Sequence, residues 1–191
     1  MIRTSSQLLL SMHALLGAVL IFATSSTRAA DSLQLLARLD HPELTEISGL
    51  TSASMQDTYW LHNDSGDAAR LFAINSSGTV LLPPYLASRY QTQPWPGLQI
   101  LNAWNVDWED LTRATDGTLY ITDMGNNGNA RRDLGIYVLP EPNPLAIAEP
   151  RALTFLPVAY PDQQRFPASV WHFDCEAVFY SNDKLYLLTK H

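Results

Sequence analysis

Cysteine occurs once in the 191-residue chain, at Cys175, so no disulfide can form within it and no thiolate metal cluster can be assembled. Charge is scarce: 16% of residues are Asp, Glu, Lys or Arg, against roughly 25% in an average globular chain. With 46% hydrophobic residues beside that figure, a disordered polyelectrolyte is excluded and a packed core is expected. Basic residues are the scarcer sign, 12 against 19 acidic, for a net charge of -7. A surface that tracks nucleic-acid phosphates needs the opposite balance, so no nucleic-acid partner is expected. The chain has no Gly-x-Ser-x-Gly elbow, no phosphate loop and no dinucleotide fingerprint. Beyond Ala23 no apolar run approaches the ~20 residues that span a bilayer.

The first residues read as an export signal. Arg3 is followed by an apolar stretch from Leu8 to Ala23, interrupted only by Ser11 and His13, and then by small residues up to Ala30. Cleavage after Ala29 places Thr27 and Ala29 at the small-residue positions, giving a signal peptide over 1–29 and a mature chain over 30–191 that is secreted or periplasmic. The competing reading is an uncleaved N-terminal anchor.

What is plentiful is strand and turn chemistry, with 12 Pro, 5 Trp and 8 Tyr, and it repeats. Glu46-Ile47-Ser48-Gly49-Leu50, Tyr59 to His62, Arg70 to Ile74 and Thr79 to Leu82 predict four short strands. Asp107 to Leu111, Thr118 to Asp123, Gly135 to Leu139 and Arg151 to Val158 predict four more, with Asp116-Gly117 as the first turn. Asp174 to Tyr180 and Leu185 to Leu188 predict a last hairpin. Glu46, Glu109 and Glu176 open the three units, 63 and 67 residues apart.

Four-stranded units repeated in this way are the mark of a β-propeller, so the expected fold is all-β, with blade 1 over about 40–84, an insertion over 85–100, blade 2 over about 101–160 and half of blade 3 over about 171–191. A β-sandwich is the alternative, but it gives no reason for an acid at the same place in each unit. Propellers close with about 4–8 blades, so the expectation is a partial propeller domain, an N-terminal fragment of a longer protein.

Counting back from the Asp116 turn sets Glu109 opposite Asp123; the same count sets Glu46 opposite Asn63 or Asp64, and Glu176 opposite Leu188 or Thr189. The three glutamates then gather at one mouth of the central channel, with Asp107 and Asp174 two residues ahead of theirs and Leu44 at that place in the first unit. Asn63, Asp64, Asp123, Asn126 and Asn127 form the rim. Converging carboxylates need a cation or raised pKa values, and oxygen ligands without thiolates favour a hard ion, calcium before magnesium. The alternative is that these acids hold the blades together. Two classes of function follow. One is a module that binds a small ligand, a glycan or a protein at an acidic mouth. The other is a calcium-dependent hydrolase of lactones, esters or phosphoesters, with His62 or Asp64 as its base. Cys175 lies between two acids, which raise a thiol's pKa and argue against a nucleophile.

The set formed by Glu46-Ile47-Ser48-Gly49-Leu50, His62-Asn63-Asp64-Ser65-Gly66, Asp107-Trp108-Glu109-Asp110, Asp123-x-Gly125-Asn126-Asn127, Asp174-x-Glu176-Ala177 and Leu185 to Lys190 resembles a group of secreted bacterial β-propeller proteins of unassigned function. The resemblance covers about residues 40–190 and implies a longer chain, of the six-bladed type. More distantly, the glutamate opening the first blade is similar to that of the gluconolactonase and paraoxonase type of calcium propeller. That likeness implies a role for Glu46 in holding a catalytic calcium; Glu109 and Glu176 stand where those families more often carry Asn or Asp.

Overall fold

The hairpins are closed by residues that accept a left-handed backbone. Gly117 (φ 85°) follows Asp116, Asp57 (φ 58°) closes the first hairpin, and Asn182 and Asp183 (φ 49° and 58°) form the pair of positive-φ residues that a tight two-residue turn requires. In the computed structural model, which describes residues 34–190, these turns separate eleven strands, and the described residues contain no α-helix. The export signal read over 1–29 lies outside the described residues. Among the described residues no helix is long and apolar enough to cross a membrane.

The first sheet is an antiparallel meander of β1 (Ile47–Ser52), β2 (Thr58–Asn63), β3 (Arg70–Asn75) and β4 (Val80–Leu81). The second repeats the order with β6 (Trp108–Arg113), β7 (Thr118–Asp123), β8 (Gly135–Pro140) and β9 (Thr154–Pro157). A third, two-stranded sheet is β10 (Cys175–Ser181) with β11 (Lys184–Thr189). The segment over 85–100 returns to the first sheet through β5 (Leu98–Gln99), which pairs with β3, and it buries Trp95, Leu98 and Ile100. The chain is therefore an all-β protein of successive antiparallel meanders.

Strand alternation decides what is buried. Trp60, Leu71, Trp108, Leu111, Leu119, Ile121 and Leu139 form the main core, between the first two sheets. Met124, Leu134, Ile136 and Cys175 form a second cluster, between the second and third. The first strands β1, β6 and β10 run beside one another without a shared ladder, and side chains make the bridges instead. Ser48 Oγ donates to the Glu109 carbonyl at 2.6 Å, the Val178 N–H donates to Asp110 Oδ2 at 2.8 Å, and the Tyr180 N–H donates to Thr112 Oγ1 at 3.2 Å. Asp110, which looks like part of an acidic motif, is thus a strut between β6 and β10.

The register agrees with the count made through the turns at Glu46, which faces Asp64, and departs from it at Glu109. Trp108, not Glu109, lies opposite Asp123; Ile47 lies opposite Asn63 and Cys175 opposite Thr189. Each first strand is bulged one residue later, so Ser48, Glu109 and Glu176 are the extra residues, 61 and 67 apart. In this frame Glu46 matches Asp107 and Asp174, Ser48 stands where the other units carry glutamate, and Leu44 is outside the pattern. A bulge shifts the pairing by one without disturbing the hydrophobic alternation beyond it, so apolar spacing gives no sign of it.

Candidate functional site

The acids come together where the three first strands begin. One carboxylate oxygen from each of Asp64, Asp107 and Glu109 lies within 4.8 Å of the others, and the same holds for Glu109, Asp174 and Glu176. Glu109 belongs to both groups and stands at the centre. Three elements build this convergence. Asp107 and Asp174 precede β6 and β10, Glu109 and Glu176 are turned inward by the bulges, and Asp64 follows β2.

A residue just past the second strand of each unit, one beyond the end of β2 and β11 and two beyond the end of β7, bonds back to the acid that precedes the first. Its N–H donates to the carbonyl of Glu46 from Asp64 (2.7 Å), of Asp107 from Gly125 (3.1 Å) and of Asp174 from Lys190 (3.1 Å). The side chains at that position decide the site: an acid in the first unit, none in the second and a cation in the third. A Cβ on Gly125 would collide with the carboxylates of Asp107 and Glu109, so glycine is what lets them share the space. Asn105 fixes the Asp64 loop by donating from Nδ2 to the Asp64 carbonyl at 2.8 Å.

Glu109 is 6% exposed, and its carboxylate makes no hydrogen bond among the described residues. Burial first, and then the charges of Glu176, Asp64, Asp107 and Asp174, push its pKa up to about 8. Asp107 is raised too, by burial and then by Asp64. Two cations attend the cluster. Lys190 Nζ lies 2.9 Å from Asp174 Oδ2 and 2.6 Å from Glu176 Oε1, and these partners raise its own pKa. Arg131 serves the buried Asp123, with Nη2 2.9 Å from Oδ1, and also donates to the Gly125 carbonyl at 2.8 Å. Buried acids of this kind, offering only oxygen, can hold a metal ion.

The remaining predicted residues divide between scaffold and rim. Asn63 is buried; its Nδ2 donates to the Glu43 carbonyl (2.7 Å) and to Asp67 Oδ2 (2.8 Å). Asn126 is also buried. Its Nδ2 donates to the Phe173 carbonyl at 2.7 Å, and its N–H donates to Asp174 Oδ1 at 2.6 Å, so it orients an acid of the site. Asp123 accepts the Asp107 N–H at 3.0 Å. Asn127 is exposed and accepts from Lys190 Nζ at 3.1 Å. Glu46 is exposed and lies outside both carboxylate groups.

His62 is fully buried, edge-on to Trp108 at 5.4 Å, with Nδ1–H donating to the Asn63 carbonyl at 2.8 Å. Gly49 makes room for its ring. Sequence reasoning missed Lys190, Arg131 and Gly125. Aligning Glu46-Ile47-Ser48-Gly49-Leu50 with Asp107 to Leu111 and Asp174 to Val178 would have set Asp64, Gly125 and Lys190 near one another. No protein-family model matches the chain, and no curated protein is similar to it.

Proposed function

We propose that this chain is part of an exported β-propeller whose acidic mouth binds a hard divalent cation, calcium before magnesium, and presents it to a ligand without turning the ligand over. The observation that carries the reading is Glu109, a buried residue (6% exposed) whose carboxylate makes no hydrogen bond among the described residues and has four more acids around it. A cation placed there supplies the missing counter-charge, and its open coordination positions supply the handle for a carboxylate, hydroxyl or phosphate of a small ligand, a glycan or a protein.

The propeller reading rests on the meander repeat and on the first strands of the three sheets packing in sequence, β1 against β6 and β6 against β10. It also rests on two apolar outer faces, Ile47 and Leu50 on the first sheet and Phe179, Tyr186 and Leu188 on the third, which further four-stranded sheets of a six-bladed ring would cover. The leader over 1–29 sends the protein out of the cytoplasm, to the periplasm or beyond. Calcium modules in such compartments bind with Kd of about 10⁻⁴–10⁻³ M. A hydrolase built on the same cation needs a base beside it. His62 is enclosed by Trp108 and Gly49, and Asp64, the other candidate base, stands among the carboxylates that would hold the ion, which favours binding over turnover.

Calorimetric titration of the purified protein with calcium chloride tests the cation, and a lactone and aryl-ester panel with and without chelator tests turnover. At about ten to a hundred times Kd, calcium stabilises the fold by about 1.4–2.7 kcal/mol and raises Tm by several degrees. No heat of binding and an unchanged Tm at millimolar calcium would remove the cation. Hydrolysis abolished by chelator would replace the binding reading with the enzyme.

A further inference from the structure

The cluster presents two groups of carboxylates that share Glu109, and they are not equivalent. On one side the Lys190 ammonium forms ion pairs with Asp174 Oδ2 at 2.9 Å and Glu176 Oε1 at 2.6 Å and donates a hydrogen bond to Asn127 Oδ1 at 3.1 Å. The other Asp174 oxygen already accepts the Asn126 N–H at 2.6 Å. On the other side Asp64 Oδ1 accepts only its neighbour's N–H, from Ser65 at 2.6 Å. Among the described residues, Asp64 Oδ2 and both oxygens of Asp107 and Glu109 accept no hydrogen bond. Glu109 is the buried, unpartnered group aimed into that space.

We infer that Lys190 is a built-in counter-cation. It reserves the Asp174–Glu176 side, so a divalent ion seats between Asp64, Asp107 and Glu109, and the protein takes a single ion where the two acid groups suggest two. The inference rests on the cation reading above and adds the ion's position and its stoichiometry. The physical reason is electrostatic. An ammonium within contact of two carboxylates cancels most of their field and repels a second cation from the same oxygens, whereas on the Asp64 side the nearest cation, Arg131, is in contact with Asp123 and Asp133 and acts on Asp107 only through space.

The test is calcium titration of four variants beside the wild type. Lys190→Met keeps the chain length and removes the charge; Lys190→Arg keeps the charge. The expected result is a single ion on the wild type and on Lys190→Arg, and a second ion on Lys190→Met. Asp64→Asn should weaken the wild-type ion at least about tenfold, while Glu176→Gln should leave it within about threefold. Two ions on the wild type, or a single ion of unchanged affinity on Lys190→Met, would overturn the role of Lys190. Loss of the ion in Glu176→Gln with Asp64→Asn unaffected would overturn the position. No ion on any of the five proteins would instead bring down the cation reading itself. Circular dichroism of each variant separates loss of binding from loss of fold, and Lys190→Arg, which preserves the ion pair, keeps the comparison open if Lys190→Met unfolds.

Discussion

Replacing Glu109 by glutamine keeps the size of the side chain and removes the charge at the centre of the cluster. Without a divalent ion, burial and then four neighbouring carboxylates raise the Glu109 pKa from 4.5 to about 8. The unfolded chain releases this proton near the ordinary value. Between the two values the folded state therefore holds the extra proton, and stability falls as pH rises. Below the lower value both states are protonated and above the higher both are ionised, so the curve is flat outside the window. At about 1.36 kcal/mol per pH unit the window sets a ceiling of about 5 kcal/mol. Water reaching the mouth through the half-buried Asp64 and Asp107 screens part of this, and a fall of about 2–3 kcal/mol between pH 5 and 8 is expected.

Urea denaturation in chelator across that range measures it. The wild type should lose stability toward pH 8, while Glu109→Gln, with nothing to titrate there, should lose less and be the more stable protein at the upper end. Saturating calcium should reverse the order, because the ion supplies the counter-charge that the carboxylate lacks. Parallel stability curves for the two proteins in chelator would refute the assignment of this cost to Glu109.

Arg131→Ala should destabilise by about 3–5 kcal/mol in chemical denaturation, since Asp123, 2% exposed, is left without its guanidinium. Arg131→Lys should recover only part of that, because it cannot also reach Gly125 and Asp133. Trp108→Ala should cost about 3–5 kcal/mol by the same measurement, as it empties the core between the first two sheets and strips the edge contact from His62. Gly125→Ala should abolish the calcium-induced rise in Tm, because the new methyl group occupies the space between the Asp107 and Glu109 carboxylates. Cys175, fully buried and with its thiol pushed up to about 11, should resist Ellman's reagent at pH 8 in the folded protein and react at once in urea; rapid labelling of the native chain would contradict its place in the core.

The strands were legible because their signals are local. Asp116-Gly117 and Asn182-Asp183 turn the chain whatever surrounds them, and the alternation through Leu119, Ile121 and Asp123 sets one face inward. The expected segments and the observed strands agree to within a few residues, from Ile47–Ser52 through Lys184–Thr189. That Glu109 and Glu176 would meet was legible for the same reason, since repeated strands put repeated residues at repeated places.

Glu46 shows where that reasoning ended. Its resemblance to the other two glutamates in the sequence was one of residue type, whereas the bulges match it to Asp107 and Asp174 and leave Ser48 in the glutamate's place. Composition, turn chemistry and periodicity thus determined an all-β chain of repeated meanders with acids at the strand starts, because each of those signals acts over a few neighbouring residues. Tertiary structure alone decided which acids share one space and which are spent on struts, as Asp110 is on Val178, and that Lys190 answers one pair while Glu109 goes unanswered. The desolvation and Coulomb energies that make a site depend on distances of a few ångströms between residues 43 to 67 positions apart.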